Sequence, residues 1–409
     1  METRTYNPEK DKTAVHRIWL ETGWIEKGKE AVMDIFLEGS RALVADLDGE
    51  AECLVTTAPG TIRYLDEELP FCCVTGVTTS RIARQQGFAK SVTALSVANG
   101  AAEGALVSGL GMFEQGYYNQ LGFGSGGYEH CVSFDPSQLK VRVKARVPLR
   151  IGLDDWATVH ASRLVRARGH GICNLTPPEL TKAEMRWTKN GFGLGYCDGP
   201  NGELTHHFWC RAGEVESGPY SIEWMTFRTS DQFLELMALI KTLGDQVRLV
   251  KMREPQGIQL QDLLDCPFKH RQVSEKSKFE SRMRAEAYWQ MRINDLPGCM
   301  ARTHLTGNTV RFNLKLGDPI GRFLDEEAPW RGIAGEYVVA LGPSSNAQSG
   351  VNATLPTLTA SVGAFTRMWL GVRPATGLTV TDELSGPREL LKQLDGMLRL
   401  PDPKPDWDF

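Results

Sequence analysis

One stretch constrains this chain more than any other. An apolar, β-rich run from Phe71 to Thr79 passes through Ser80-Arg81-Ile82-Ala83-Arg84-Gln85-Gln86 into Gly87-Phe88-Ala89. Helical spacing begins there, from about Gly87 to Val97, with Asn99-Gly100 as the expected stop. A strand that feeds a turn and then a helix leaves the first-turn N–H groups without intrahelical partners, at the positive end of the helix dipole. That is an anion site, suited to a pyrophosphate. Small residues at two positions of Arg84-x-x-Gly87-x-Ala89 let backbone approach a ligand, and Arg81 and Arg84 add charge-assisted donors. No Gly-Lys-Ser/Thr follows, so this is not a Walker loop, and the dinucleotide fingerprint is absent as well. Taken alone, the pattern also fits an ordinary helix start.

Its surroundings read as one α/β unit. Thr3 to Asn7 has a strand signal, followed by an amphipathic helix with Ala14, Ile18 and Trp19 inward and Asp11 or Thr13 as its cap. Arg41 to Asp46 and Glu52 to Thr57 flank a hairpin signal at Gly49. Ala105 to Met112 reads as a buried strand, Glu114 to Leu121 as a short helix, and Tyr128 to Phe134 as the unit's last strand. Pro136 and the basic stretch from Lys140 to Arg150 mark a boundary.

The whole chain has 409 residues, enough for two or three domains. Its middle part repeats the α/β alternation: strands at 191–197, 204–211 and 220–227, a helix after Ser230 or Asp231, and a strand at 246–252. The last part begins near Ala287 and has strand-like runs (Val310 to Lys315, Glu336 to Leu341, Leu378 to Thr381) and helical runs at 362–369 and 387–397. It closes with Pro401-Asp402-Pro403-Lys404-Pro405-Asp406-Trp407-Asp408-Phe409, which is stiff and extended. The net charge of −4 offers no basic excess for nucleic acid or an anionic membrane surface. No apolar run is long enough to span a bilayer and no signal peptide is expected. Nine cysteines without a Cys-x-x-Cys pair read as reduced thiols of a cytoplasmic protein, and no zinc spacing is present, so no metal is expected.

About thirty residues after the helix start comes Gly116-Tyr117-Tyr118-Asn119-Gln120-Leu121-Gly122-Phe123-Gly124. The strand–Arg-x-x-Gly-x-Ala–helix unit, followed by a strand and Tyr-x-x-Leu-Gly-Phe, resembles the GNAT superfamily of N-acetyltransferases. The continuation narrows the resemblance to the enhanced-intracellular-survival (Eis) type, through Met291-Arg292-Ile293-Asn294-Asp295-Leu296-Pro297 and the stiff tail. The match is specific over 1–135 and architectural beyond it. It implies an α/β (α+β) fold class: a catalytic GNAT domain over 1–137, a degenerate GNAT-like domain over 138–286, and a sterol-carrier-protein-like domain over 287–409. It implies acetyl-CoA as co-substrate and a primary amine, of a small molecule or a lysine side chain, as acceptor. A homo-oligomer is implied too, with a hexamer among the family's states.

The resemblance carries over residue by residue. Val77, Thr78 and Thr79 match the strand whose backbone holds the pantetheine and the thioester. Arg84, Gln85, Gly87, Phe88 and Ala89 match the pyrophosphate turn. Tyr118, four residues before Gly122, matches the catalytic tyrosine, and Phe409 matches the terminal residue whose carboxylate enters the active site. Gln85 and Gln86 stand where the family often has arginines. Phe113 stands where a small polar residue is common, so it bears on the acceptor pocket, as does Trp24 near the end of the first helix. His206 and His207 lie in a strand-like run and face opposite ways, so they cannot jointly hold a metal. The alternatives from other classes are a catalytically weak acyl-CoA- or lipid-binding regulator, motivated by the third segment, and a peptidyl- or aminoacyl-transferring relative with another donor.

Overall fold

The structure, a computed structural model, describes residues 2–408. The chain forms two compact units: one holds residues up to Gly127, Gly169–Thr176 and Ala287 onward, the other Tyr128–Arg168 and Pro177–Glu286.

In the first unit, β1 (Glu2–Thr5) leads into α1 (Pro8–Thr22) and α2 (Glu30–Glu38), a helix the sequence reading did not anticipate. Asn7, rather than Asp11 or Thr13, caps α1. Its side chain accepts the Glu9 N–H at 2.9 Å, and Pro8 takes the first helical position, where an N–H would be unpaired anyway. Asp11 is instead buried and held bidentately by Arg4 at 2.6 and 2.7 Å. An antiparallel meander follows, of β2 (Arg41–Leu47), β3 (Glu50–Tyr64) and β4 (Glu67–Thr79). Then come α3 (Phe88–Ala102), β5 (Val107–Gly111), a 3-10 turn over Tyr118–Leu121 and β6 (Gly124–Ser125). The turn is shorter than the helix expected from Glu114. α3 runs through Asn99-Gly100, where a stop was expected: Gly100 lies so close to Cys72 that a Cβ would come within 2.6 Å of its Sγ. Packing of the helix on the sheet outweighs the modest cost of an internal glycine.

The next strand corrects the sequence reading. β7 (Glu129–Phe134), expected to close the first sheet, belongs to the second unit. That unit adds β8 (Leu149–Ile151) and α4 (Trp156–Leu164) before the chain returns to the first with β9 (Cys173–Leu175), which pairs with β3. It then builds α5 (Pro178–Trp187), β10 (Gly191–Tyr196), β11 (His206–Ala212), β12 (Tyr220–Thr226), α6 (Ser230–Thr242), β13 (Val250–Arg253), α7 (Pro267–Ser274) and β14 (Arg282–Glu286). Thr229, one residue before the expected cap, caps α6. The sheet order is β14-β7-β13-β12-β11-β10-β8, over a core that includes Phe134, Phe208, Leu236 and Ile240.

β15 (Trp289–Ile293) occupies the place expected of β7, so the first sheet reads β1-β2-β3-β4-β5-β15-β6. Both runs are short and β-prone; which one closes the sheet depends on long-range pairing that local sequence does not encode. The rest of the first unit is α8 (Leu296–Ala301), β16 (Val310–Gly317), β17 (Gly335–Leu341), β18 (Asn346–Ser349), β19 (Thr357–Ser361), α9 (Val362–Trp369), α10 (Ala375–Thr381), β20 (Leu384–Ser385) and α11 (Arg388–Met397). Its strands form a third sheet, β18-β17-β16-β19-β20. α10 replaces the strand expected at Leu378–Thr381. Pro374 starts a helix that buries Ala375 and Leu378, three apart, and leaves Val380 in solvent.

Candidate active site

The site begins where two strands part. β4 and β5 pair in parallel from Phe71 and Val107 as far as Val74 and Leu110. β4 then continues to Thr79 without β5. The register with β3 slips there, Thr56 facing Gly76 and Thr57 facing Val74, so Thr75 is an extra residue in β4. Such a bulge bends a strand and interrupts its ladder. Its hydroxyl meets that of Thr56 at 3.0 Å. Beyond the bulge, Trp19 donates its indole N–H to Thr78 Oγ1 at 3.0 Å, which ties that side chain toward α1. Val77, the next residue back, joins the cluster under α3.

A cavity of about 250 Å³ opens in the parting. Val74, Thr75, Gly76 and Val77 line it from β4, Leu110 and Gly111 from β5. Met112, Phe113, Tyr118, Trp24 and Tyr288 complete the wall. Trp24 packs over Gly76, where a Cβ would just touch the indole at 3.4 Å and would crowd Thr56 Oγ1 at 2.7 Å. Tyr288 is brought by the chain leading into β15, where its carbonyl accepts the Met112 N–H at 2.7 Å. Nothing in the sequence placed Tyr288 here, because it lies 170 residues from Tyr118.

Tyr118 is 3% exposed and packs edge-on against Tyr117 at 4.9 Å and Phe113 at 5.8 Å. Its hydroxyl has no hydrogen-bond partner among the described residues, and burial pushes its pKa well above the usual phenol value. Tyr117 is less buried, with its pKa pushed up to about 12, mainly by burial. Lys90 lies over the Tyr117 ring, 5.6 Å from its centroid, and donates to Gln120 at 2.6 Å.

The turn before α3 has the features an anion needs. Gly87 caps the helix at φ 87°, and a Cβ would meet nothing there within 4 Å. Gln85 also takes a left-handed conformation, φ 63°. Phe88 and Ala89 open α3, so their N–H groups have no intrahelical acceptor. Arg81 and Arg84 are exposed, while Phe88 is buried as the anchor of the helix start. These groups fit a pyrophosphate.

The tail is ordered as far as it is described. The Lys404 N–H donates to the His170 carbonyl at 3.4 Å, and the Cys173 N–H donates to the Pro405 carbonyl at 2.8 Å. The tail therefore runs beside β9, antiparallel to β3, toward the part of β3 that faces Val74–Val77. Trp407 is fully buried. Phe409, the residue matched to a terminal carboxylate, lies outside the described residues.

In the second unit, Asp198, His206 and Glu235 bring ligand atoms within 4.8 Å of one another. Arg146 already binds both carboxylates, at 2.7 to 2.9 Å, and supplies the positive charge there. His207 points the other way, where its Nε2 accepts the Trp224 indole N–H at 3.3 Å.

No model of a known protein family matches the chain, and no curated protein matches it in sequence. Solved structures do match, over its full length. A conserved protein of unknown function from Enterococcus faecalis V583 has a TM-score of 0.79 at 16% identity, covering 100% of this chain and 99% of that one. A GCN5-related N-acetyltransferase from Anabaena variabilis has 0.78 at 13%, and Eis1 from Mycobacterium abscessus 0.75 at 13%, each covering 100% of both chains. The chain thus has the mixed α/β fold of the GNAT N-acetyltransferases, in the architecture of Eis.

Proposed function

We propose that this protein is an acetyl-CoA-dependent N-acetyltransferase that moves an acetyl group to a primary amine by direct attack. One observation carries the reading: the parted β4 and β5 enclose a cavity walled by Tyr118, and β4 leads through a turn with two exposed arginines into the start of α3, whose first N–H groups have no intrahelical acceptor. Acetyl-CoA would bring the activated thioester. Residues 84–89 hold its pyrophosphate, and the free edge of β4 at Val77–Thr79 holds the pantetheine.

The backbone N–H groups beside the bulge polarise the thioester carbonyl, where charge develops. The acceptor nitrogen attacks the carbonyl carbon in its neutral form. For an amine of pKa about 10, roughly one in a thousand is neutral at pH 7, a cost of about 4 kcal/mol. The C–S bond breaks, and Tyr118 gives its proton to the departing thiolate. The proton lost by the acceptor passes to the solvent or to the α-carboxylate assigned to Phe409. The sterol-carrier likeness of 287–409, a homo-oligomer and a cytoplasmic setting belong to the same reading.

Thiol release from acetyl-CoA in the presence of amines tests it. Amine-dependent release with a matching N-acetylated product is the expected result. CoA that neither binds in calorimetry nor is released with any amine defeats the proposal.

A further inference from the structure

We infer that the acceptor is a small primary monoamine carried on a flat aromatic body, and not a polycation. This rests on the acetyl-transfer reading of the same cavity and deepens it. Among the residues that line the cavity there is no Asp, Glu, Lys or Arg. The neighbouring carboxylates in sequence, Glu26 and Glu114, are exposed and are not part of the lining. An ammonium entering such a wall loses water without gaining a side-chain carboxylate; the α-carboxylate assigned to Phe409 would answer one positive charge, and every further ammonium repeats the penalty. The same wall favours the neutral amine, the form that attacks.

What the wall offers is aromatic surface. Trp24, Phe113, Tyr118 and Tyr288 converge on it, with Leu110 and Met112 between. Trp24 is 48% exposed and Phe113 72% exposed, unusual for such large apolar groups unless something covers them. Aromatic rings stack or meet edge-on with such partners, and a single residual charge is tolerated over their faces.

Size points the same way. The cavity of about 250 Å³ is smaller than the roughly 300–1,000 Å³ of drug-sized ligand sites, whereas an apolar cavity of about 150 Å³ suffices for benzene. One ring with a short amine arm fits within the wall beside the acetyl group; the bulk of an oligosaccharide bearing several amines would stand outside it.

The test uses the full chain with saturating acetyl-CoA. The acceptors are 2-phenylethylamine, tryptamine, spermidine, an aminoglycoside and a lysine peptide, with thiol release and product mass as readouts. We expect kcat/KM for the two arylalkylamines to exceed that of every other acceptor at least about tenfold. Trp24→Ala and Phe113→Ala should each raise KM for tryptamine at least about fivefold, with CoA affinity in calorimetry unchanged. Preference for spermidine, the aminoglycoside or the peptide overturns the inference, as does an unmoved KM in both variants. So does a protein that binds CoA but acetylates neither arylalkylamine. Failure to bind CoA at all defeats the acetyl-transfer reading itself, which separates the two failures.

Discussion

Tyr118 and Gly87 are where single atoms decide most. The Tyr118 phenol is buried beside Tyr117, and burial disfavours the phenolate. Its folded pKa lies above the ordinary value of about 10, so it stays protonated, as a general acid must, across the neutral and mildly alkaline range. Turnover should therefore rise with pH as the acceptor amine deprotonates, with no alkaline fall before about pH 10. A pH–rate profile with a fall near pH 8 would remove Tyr118 from that role. Tyr118→Phe should lower kcat by roughly 10²–10³ with CoA affinity nearly kept, and Tyr117→Phe should do far less. At Gly87, φ 87° strains most side chains, so the informative pair is Gly87→Asn and Gly87→Asp. Both tolerate the left-handed backbone and are alike in size, but Asp brings a negative charge where Asn brings a neutral amide. Asp should weaken CoA binding at least about tenfold more than Asn; equal affinities would mean that no pyrophosphate sits there.

At the scale of an element, β15 matters most. It enters the first sheet from far along the chain, and two of its side chains, on the same face, hold the turn that carries Tyr118. The Gln290 amide donates to Asn119 Oδ1 and Ser125 Oγ, both at 3.1 Å, and Asn119 in turn accepts the Gly116 N–H at 3.0 Å. Arg292 donates to the Leu121 carbonyl and pairs with Asp318 at 2.6 Å, both charges fully buried. Asp318 also accepts the backbone N–H groups of Ile320 and Ile333. Asp318→Asn leaves a buried guanidinium without its counter-charge, and should cost about 3–5 kcal/mol in urea unfolding. Gln290→Leu keeps the volume and removes the grip on Asn119. It should lower kcat severalfold with CoA affinity intact; an unchanged kcat would show that the turn holds Tyr118 unaided.

At the scale of the whole molecule, the tail and the Gly169–Thr176 segment form one assembly in the first unit. β9 pairs with β3, and the tail lies along β9. His170 fixes the start of the track: it accepts the Leu65 N–H at Nδ1 and meets the Leu370 carbonyl through Nε2, at 3.1 and 3.0 Å. Burial lowers its pKa, so it stays neutral and can accept at Nδ1. Prolines in the tail reduce the entropy lost on docking. Trp407→Ala removes a buried indole and should cost about 3–5 kcal/mol. Residues appended after Phe409 should cut turnover at least about tenfold, with thermal stability within a degree or two. Full activity in the extended protein would exclude a terminal carboxylate from the reaction.

The readings that came from sequence rest on local signals. The turn from Ser80 to Ala89 is set by its own glycine, and the start of the helix by its apolar spacing. Adjacent tyrosines before Gly122, and a proline-spaced tail that could be only extended, were legible for the same reason: backbone preferences act over a few residues. Tertiary structure alone decided which strand closes each sheet. The exchange of β7 for β15, the placement of Tyr288 in the cavity and the grip of Gln290 and Arg292 on the turn that carries Tyr118 arise from pairings more than a hundred residues apart. Strand propensity is the same for either partner. The choice is made by register, by burial of one face and by satisfaction of buried charges, which exist only once the chain has folded.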